Sequence, residues 1–331
     1  QKTAYEIHER LVGSEMCIRD RVSSGRSFKS SNIESAIMLD KENFHLKAYD
    51  NETGFIVEAY KEKNKAIQLK LNNKKITISE IAKAFPATII DNKTFSFTEA
   101  APAFRRKILD RAVFLSDESY SSVWFGYHRS LKQRNKLLKE RALSSLEPWT
   151  EKLTELGNSL TDKRKIFFDQ TRDQFNSLVS SLNLEMEKVF IKDLTVEYYK
   201  GWDEELTLAN SLDAERDTDI RRKVTTRGPH KADIKIYIKG VDAKEILSRG
   251  EQKLLAIIWL CSQHEVLRST YNIKPTLLID DVKSELDIET FNIYIALLKL
   301  IQNQVIFSNI EDQINSKIEA ELINIKKFHV E

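Results

Sequence analysis

The aliphatic run Leu277-Leu278-Ile279 ends in two adjacent carboxylates, Asp280 and Asp281. At the carboxyl edge of a parallel sheet such a pair suits a Mg²⁺-nucleotide site, in which Asp280 holds the metal shell through water and Asp281 orients or deprotonates an attacking water. A solvated strand end accounts for two terminal acids equally well. Gly250 lies thirty residues before Asp280, and with Ser248 and Arg249 it opens a long apolar stretch. A serine hydroxyl, free backbone N–H groups and the positive end of a helix dipole meet there, all suited to a phosphate. A plain N-cap is the commoner use of a serine at that place. The conjunction is rarer than either part: the serine-glycine helix start, the Asp-Asp strand at this distance, and Ser284-Glu285-Leu286-Asp287 directly after it.

These residues need a particular frame. Short alternating runs over Phe44–Leu71, punctuated by Asn51-Glu52-Thr53-Gly54 and Lys63-Asn64-Lys65, predict an antiparallel meander. Ser79 caps a short helix through Ala84, and Pro86 to Ile90 reads as a buried strand. A helical region runs from Glu99 to about Phe190; Trp124, Tyr127, Leu131, Leu138 and Ala142 fall near helical spacing, Pro148 breaks the pattern, and a further stretch starts at Ile166. Its heptads are too irregular for a long coiled coil. Strands return at 194–199 and 234–238, followed by helix 248–269, strand 276–280, helix 287–301, strand 304–308 and a last helix-strand pair to Val330. That alternation is the grammar of a parallel sheet with covering helices, so the fold class is α/β.

The remaining candidates are weaker. Arg129, Lys132, Arg134, Lys136, Lys139 and Arg141 set six cations against one acid, Glu140, within thirteen residues. This is a phosphate-tracking patch or a solvated helix face, and charge alone does not separate the two. Arg105-Arg106 reads as a sensor pair near a nucleotide, or Arg106 as the ion-pair partner of Asp110 four residues on. The six histidines form no catalytic constellation: His230 reads as a turn histidine bonding to backbone, and His128 and His264 as helix-surface residues. Lysine plus arginine total 52 against 50 acids, so affinity for an anionic partner has to come from local patches. Two distant cysteines, Cys17 and Cys261, argue against a disulfide framework or a zinc site and fit a reducing cytoplasm.

With these residues in view, the chain resembles the ATP-binding-cassette ATPases, and within their SMC-like branch the RecF family. Leu247-Ser248-Arg249-Gly250-Glu251-Gln252-Lys253-Leu254-Leu255 is similar to the signature motif, Leu278-Ile279-Asp280-Asp281 to Walker B, and Ser284-Glu285-Leu286-Asp287 to the D-loop. Gly25 to Ser30, Pro102 to Asp110 running into Leu131-Lys132-Gln133-Arg134-Asn135, and Arg227 to Asp233 resemble RecF specifically. The likeness has departures: Glu251 stands where glutamine usually follows the signature glycine, Asp281 where many cassettes carry glutamate, and Ser308-Asn309 where transporters place a histidine.

The resemblance implies an ABC-type ATPase head with a parallel or mixed sheet, an antiparallel β lobe and an inserted helical arm. It implies ATP and Mg²⁺ as cofactors, with Ser248, Arg249, Gly250 and Asp287 acting on a nucleotide held by a second copy, Asp280 on the metal and Asp281 in hydrolysis. Its implied partners are DNA, both duplex and gap junctions, a second copy of the chain on ATP, and RecR, RecO and RecA, with the cation row tipped toward DNA. None of the nine glycines is followed by lysine, so no Gly-Lys-Ser/Thr phosphate loop is present. Residues 1–21 look like a translated sequencing adapter, which places the missing loop in a lost upstream segment. The expected organisation is that adapter-like segment, an N-terminal ATPase lobe over 22–120, a helical arm over 121–192 and a C-terminal lobe over 193–331. The intact protein is then an ATPase and the chain as it stands inactive. The alternatives are an SMC-like DNA-bridging ATPase, or a catalytically dead DNA-binding module if the start is native.

Overall fold

The computed structural model describes residues 34, 37, 38, 40–49, 54–91, 93–185, 194–280, 288–301 and 305–308. They divide into two compact units, one made of Gln1–Phe95 with Ala256–Glu331 and the other of Ser96–Leu255.

In the first unit, β1 (Asn43–Tyr49), β2 (Ile56–Glu62), β3 (Gln68–Leu71) and β4 (Lys74–Ile76) form the antiparallel meander in sequential order. The β3–β4 turn is Asn72-Asn73, both with positive φ (48° and 66°), the geometry of a two-residue hairpin whose twist matches its strands. Alternation turns Phe44, Leu46, Val57, Ala59 and Leu69 inward against Ile81 of the following helix and Phe85 just after it. That helix, α1 (Ile78–Ala84), is capped by Thr77 and not by Ser79: the Thr77 hydroxyl accepts the Glu80 N–H while the Glu80 carboxylate accepts the Thr77 N–H. The reciprocal pair satisfies two free donors at once, which moves the helix start ahead of Ser79.

The same unit holds a parallel sheet of β5 (Ala87–Ile90), β9 (Thr276–Asp280) and β10 (Val305–Ser308), with β9 in the middle. Leu277, Leu278 and Ile279 are essentially inaccessible, as a strand covered on both faces requires. The helix α9 (Ile288–Leu300) buries Phe291, Ile293, Tyr294, Leu297 and Leu298. The last expected helix-strand pair, to Val330, lies outside the described residues.

The second unit is built on α2 (Pro102–Ser116), α3 (Tyr120–Glu140) and α4 (Glu147–Glu185). Pro148 begins α4 where it was expected to interrupt a helix, because in the first turn its missing N–H has no intrahelical partner to lose. Nothing between Leu160 and Ile166 stops the helix, so the two expected stretches are one helix of 39 residues. At the α3–α4 crossing a Cβ on Gly126 would stand 3.1 Å from Leu156 Cδ1, so the small residue sets the close approach. An antiparallel sheet of β6 (Leu194–Tyr199), β7 (Asp233–Ile238) and β8 (Val241–Asp242), with the short helices α5 (Leu208–Ala214), α6 (Arg216–Arg222) and α7 (Ala243–Ile246), completes the unit.

Helix α8 (Arg249–Ser269) is buried on every side from Leu254 to Leu267, the polar run Ser262 to Glu265 included. His264 lies there fully buried, which corrects its reading as a surface residue; Cys261 beside it is buried too, and burial pushes its thiol up to about 12. Among the described residues no helix is long and apolar enough to cross a membrane.

Candidate functional site

The start of α8 is set by a second capping box. The Ser248 N–H donates to Glu251 Oε2 at 2.8 Å and the Glu251 N–H to Ser248 Oγ at 3.3 Å. Ser248 and Arg249 are exposed and Gly250 is half-buried. Gln252 is turned inward: it accepts the Thr98 hydroxyl at 2.7 Å and donates to the Leu247 carbonyl at 3.0 Å. The side chain at the exposed helix end is therefore Glu251, engaged with its own serine, while Gln252 anchors the loop from behind.

In the first unit, Asp280 is the last residue of β9, in register with Ser308 of β10. Asp281 and Asp287 lie outside the described residues, as does the segment Gly25 to Ser30. Ile90 pairs with Ile279, which brings Asp91 level with Asp280 at the same carboxyl edge. Asp91 is 8% exposed, Oδ1 accepts the Thr94 N–H at 2.9 Å, and burial holds its carboxyl above the usual carboxylate range. Asp91 follows an expected buried strand just as Asp280 does, and that placement was its signal in the sequence. Among the described residues no three His, Cys, Asp or Glu side chains gather as a metal cage.

The other family-like segments converge inside the second unit. Arg105 makes a two-pronged pair with Asp233 (2.7 and 2.9 Å), and Arg106 donates to the Ala232 carbonyl at 2.6 Å. The expected Arg106–Asp110 pair does not form, because Asp110 is taken by Arg164 at 2.7 and 2.9 Å and also accepts from Tyr120 and Trp124. Arg164 reaches on to the Pro229 carbonyl at 2.8 Å. His230 bonds to backbone as expected: Nε2 lies 3.0 Å from the Thr225 carbonyl, which can only accept, so Nδ1 accepts the Tyr127 hydroxyl at 2.7 Å. Burial lowers His230 to about 4, keeping it neutral. His128 also departs from a surface reading, half-buried and stacked on Trp124 at 3.9 Å.

The cation row on α3 splits. Arg129, Lys132, Lys136 and Lys139 are exposed and fall within an arc of roughly 80° at about 100° per residue. Arg134 does not join them. Its side chain is 1% exposed and binds the fully buried Asp219 at 2.7 Å, with further bonds to Thr150 and Thr225. Asn135 accepts from the Thr225 N–H and hydroxyl, both at 2.7 Å, and just ahead of Thr225 the exposed Arg221, Arg222 and Lys223 end α6.

A parallel sheet with an acid closing its middle strand, an antiparallel β lobe, a helical arm and a serine-capped signature helix define an ATPase head of the SMC-like kind. A family model described as RecF/RecN/SMC N terminal domain matches residues 14–329. A protein of Nitrosococcus oceani called DNA replication and repair protein RecF is 30% identical over 311 residues, covering 92% of this chain and 84% of its own length. A relative of the same name from Pseudoalteromonas translucida is 28% identical over 316 residues, 93% and 85% of the two chains. The solved structure of the recombination mediator protein RecF with ATP in the RecFOR pathway superposes with a TM-score of 0.73 at 26% identity, over 90% of this chain and 82% of that one. An Smc head bound to the C-winged helix domain of ScpA shares the fold at a TM-score of 0.50 and 14% identity, over 91% and 80% of the two chains. The chain belongs to the RecF family.

Proposed function

We propose that this chain works as an ATP-dependent DNA-binding protein of DNA replication and recombinational repair. Two copies sandwich ATP on duplex or gapped DNA and help load recombinase on the single strand beside the gap. The reading is supported by relatives named for DNA replication and repair and by matched RecF structures described with ATP in the RecFOR pathway. The single observation that carries it is the exposed, serine-capped start of α8, a long helix whose N-terminal end and serine hydroxyl suit an outside phosphate. In this reading Ser248, Arg249 and Gly250 of one copy meet the γ-phosphate held by the other, and Asp287 communicates across the interface. Asp281 orients the attacking water. An acid closing the middle strand of a parallel sheet, Asp280, fits a Mg²⁺ ion held by one or two carboxylates plus phosphates. Bound there, with Asp280 as its holder, the ion would supply charge neutralisation on the phosphate oxygens. DNA meets Arg129, Lys132, Lys136 and Lys139, and the further partners are RecR, RecO and RecA.

The DNA-bridging alternative is less well supported, since among the described residues the longest helix, α4, has 39 residues and its neighbour α3 only 21. That makes a short hairpin arm and not an extended coiled coil. The test is Ser248→Arg in the complete gene product, followed by light scattering and nucleotide binding. The bulky cation should abolish ATP-dependent dimerisation and leave ATP binding by the monomer intact. Wild-type dimerisation by this variant would refute the role of α8.

A further inference from the structure

Phe125 on α3 is 64% exposed, the most exposed large apolar side chain among the described residues. Its position on the helix falls inside the arc that carries Arg129, Lys132, Lys136 and Lys139, so one face presents an aromatic ring followed by cations over about 21 Å. Its recorded ring neighbour, Trp124, approaches in T-shaped geometry at 5.2 Å and 88°. On the same side, one turn before it, stands the small polar Ser122, itself exposed.

Single exposed apolar residues are ordinary on protein surfaces, and Phe125 alone would carry no meaning. Its alignment with the cations gives it one. The cations select a polyanion, and the ring selects a partner with an open π-face. A DNA strand offers both, yet within a duplex each base face is covered by its neighbours. Away from the duplex ends, an unpaired base is what can lie on Phe125 while its backbone runs along Arg129 and the lysines.

We propose that Phe125 is a stacking platform for an unpaired nucleobase, placed at the end of the phosphate-tracking face of α3, so that this face favours DNA containing a single-stranded segment over blunt duplex. The inference rests on the DNA-binding reading above and adds the residue that discriminates between strand states.

The test is fluorescence anisotropy of the complete gene product, with ATP present, on a blunt duplex and on a gapped duplex of the same length. Phe125→Ala should weaken binding to the gapped DNA by about tenfold, the ordinary size of one base-aromatic stack, and leave blunt-duplex binding unchanged. Phe125→Trp should retain the affinity and show added emission that gapped DNA quenches relative to the wild-type chain. The pair Lys132→Glu and Lys136→Glu should weaken both DNAs. Binding that depends on the lysines but is indifferent to Phe125→Ala on both DNAs would overturn the stacking role alone. A wild-type chain that binds neither DNA would overturn the DNA reading and this inference with it.

Discussion

Replacing Arg134 by alanine separates the interior of the arm from its surface. Arg134 and Asp219 are 1% and 0% exposed at their side chains and meet at 2.7 Å, so the substitution leaves a carboxylate buried without its cation. Asp219 keeps the Thr226 N–H and hydroxyl on its other oxygen, at 2.8 and 2.7 Å, which softens the loss without neutralising the charge. Breaking a buried pair from one side costs about 3–5 kcal/mol. At about 2–4 °C per kcal/mol for a unit of this size, the melting midpoint should fall by about 6–20 °C. Lys132→Ala, on an exposed side chain of the same helix, should shift it by no more than about 2 °C, since such surface changes stay within about 0.5 kcal/mol. The double variant Arg134→Met with Asp219→Leu should recover much of the loss, because it removes both charges together. Calorimetry and urea denaturation give the readout. An Arg134→Ala chain as stable as the Lys132→Ala chain would refute the assignment of Arg134 to the interior.

Two further measurements test the fold around the site. His230 and His264 are lowered by burial to about 4 and about 3, so the folded state binds fewer protons than the unfolded state below the ordinary value of 6.5. Their stability contribution is present above that value and lost as pH falls, by about 2–3 kcal/mol for each by pH ~4.5. Urea midpoints should therefore drop across that window and His230→Gln should flatten part of the slope; a flat profile in the wild-type chain would contradict the burial. Gly201 holds φ at +104°, and a Cβ there would stand 2.1 Å from the Gly228 carbonyl oxygen. Gly201→Ala should cost more than about 3 kcal/mol from strain and backbone displacement together, and a melting midpoint within error of wild type would rule that contact out.

The sequence disclosed the frame better than the identity of the groups inside it. Period-two alternation located β1 to β3, and an aliphatic run located β9, because burial on one or two faces leaves a pattern that hydropathy records. Arg134 was misplaced because charge was weighed ahead of position. It falls seven residues after Tyr127 and four before Leu138, on the stripe whose members are buried, and that spacing was the available signal. His264 sits in a polar run, Ser262 to Glu265, whose composition suggests an exposed turn, yet that whole turn is buried with the apolar residues on either side of it. Pro148 and Thr77 turned on cap geometry, where one or two residues decide whether a helix starts or stops. The partners of Asp110 could not be read at all, since Arg164 lies 54 residues away and only the packing of α2 against α4 brings it near.

The Arg134–Asp219 pair also has a consequence for biosynthesis. The two residues are 85 positions apart, so at ribosomal speeds of about 5–20 residues per second the arginine waits about 4–17 s for its carboxylate to be made. Arg164 waits in the same way for the Pro229 carbonyl, and Tyr127 for His230. Until the segment through His230 has followed, the hairpin of α3 and α4 therefore lacks these three partners, although Arg164 already has Asp110. The interior of this unit is completed last by residues that follow its helices in the chain, so a chain cut short before Asp219 would carry Arg134 without its carboxylate.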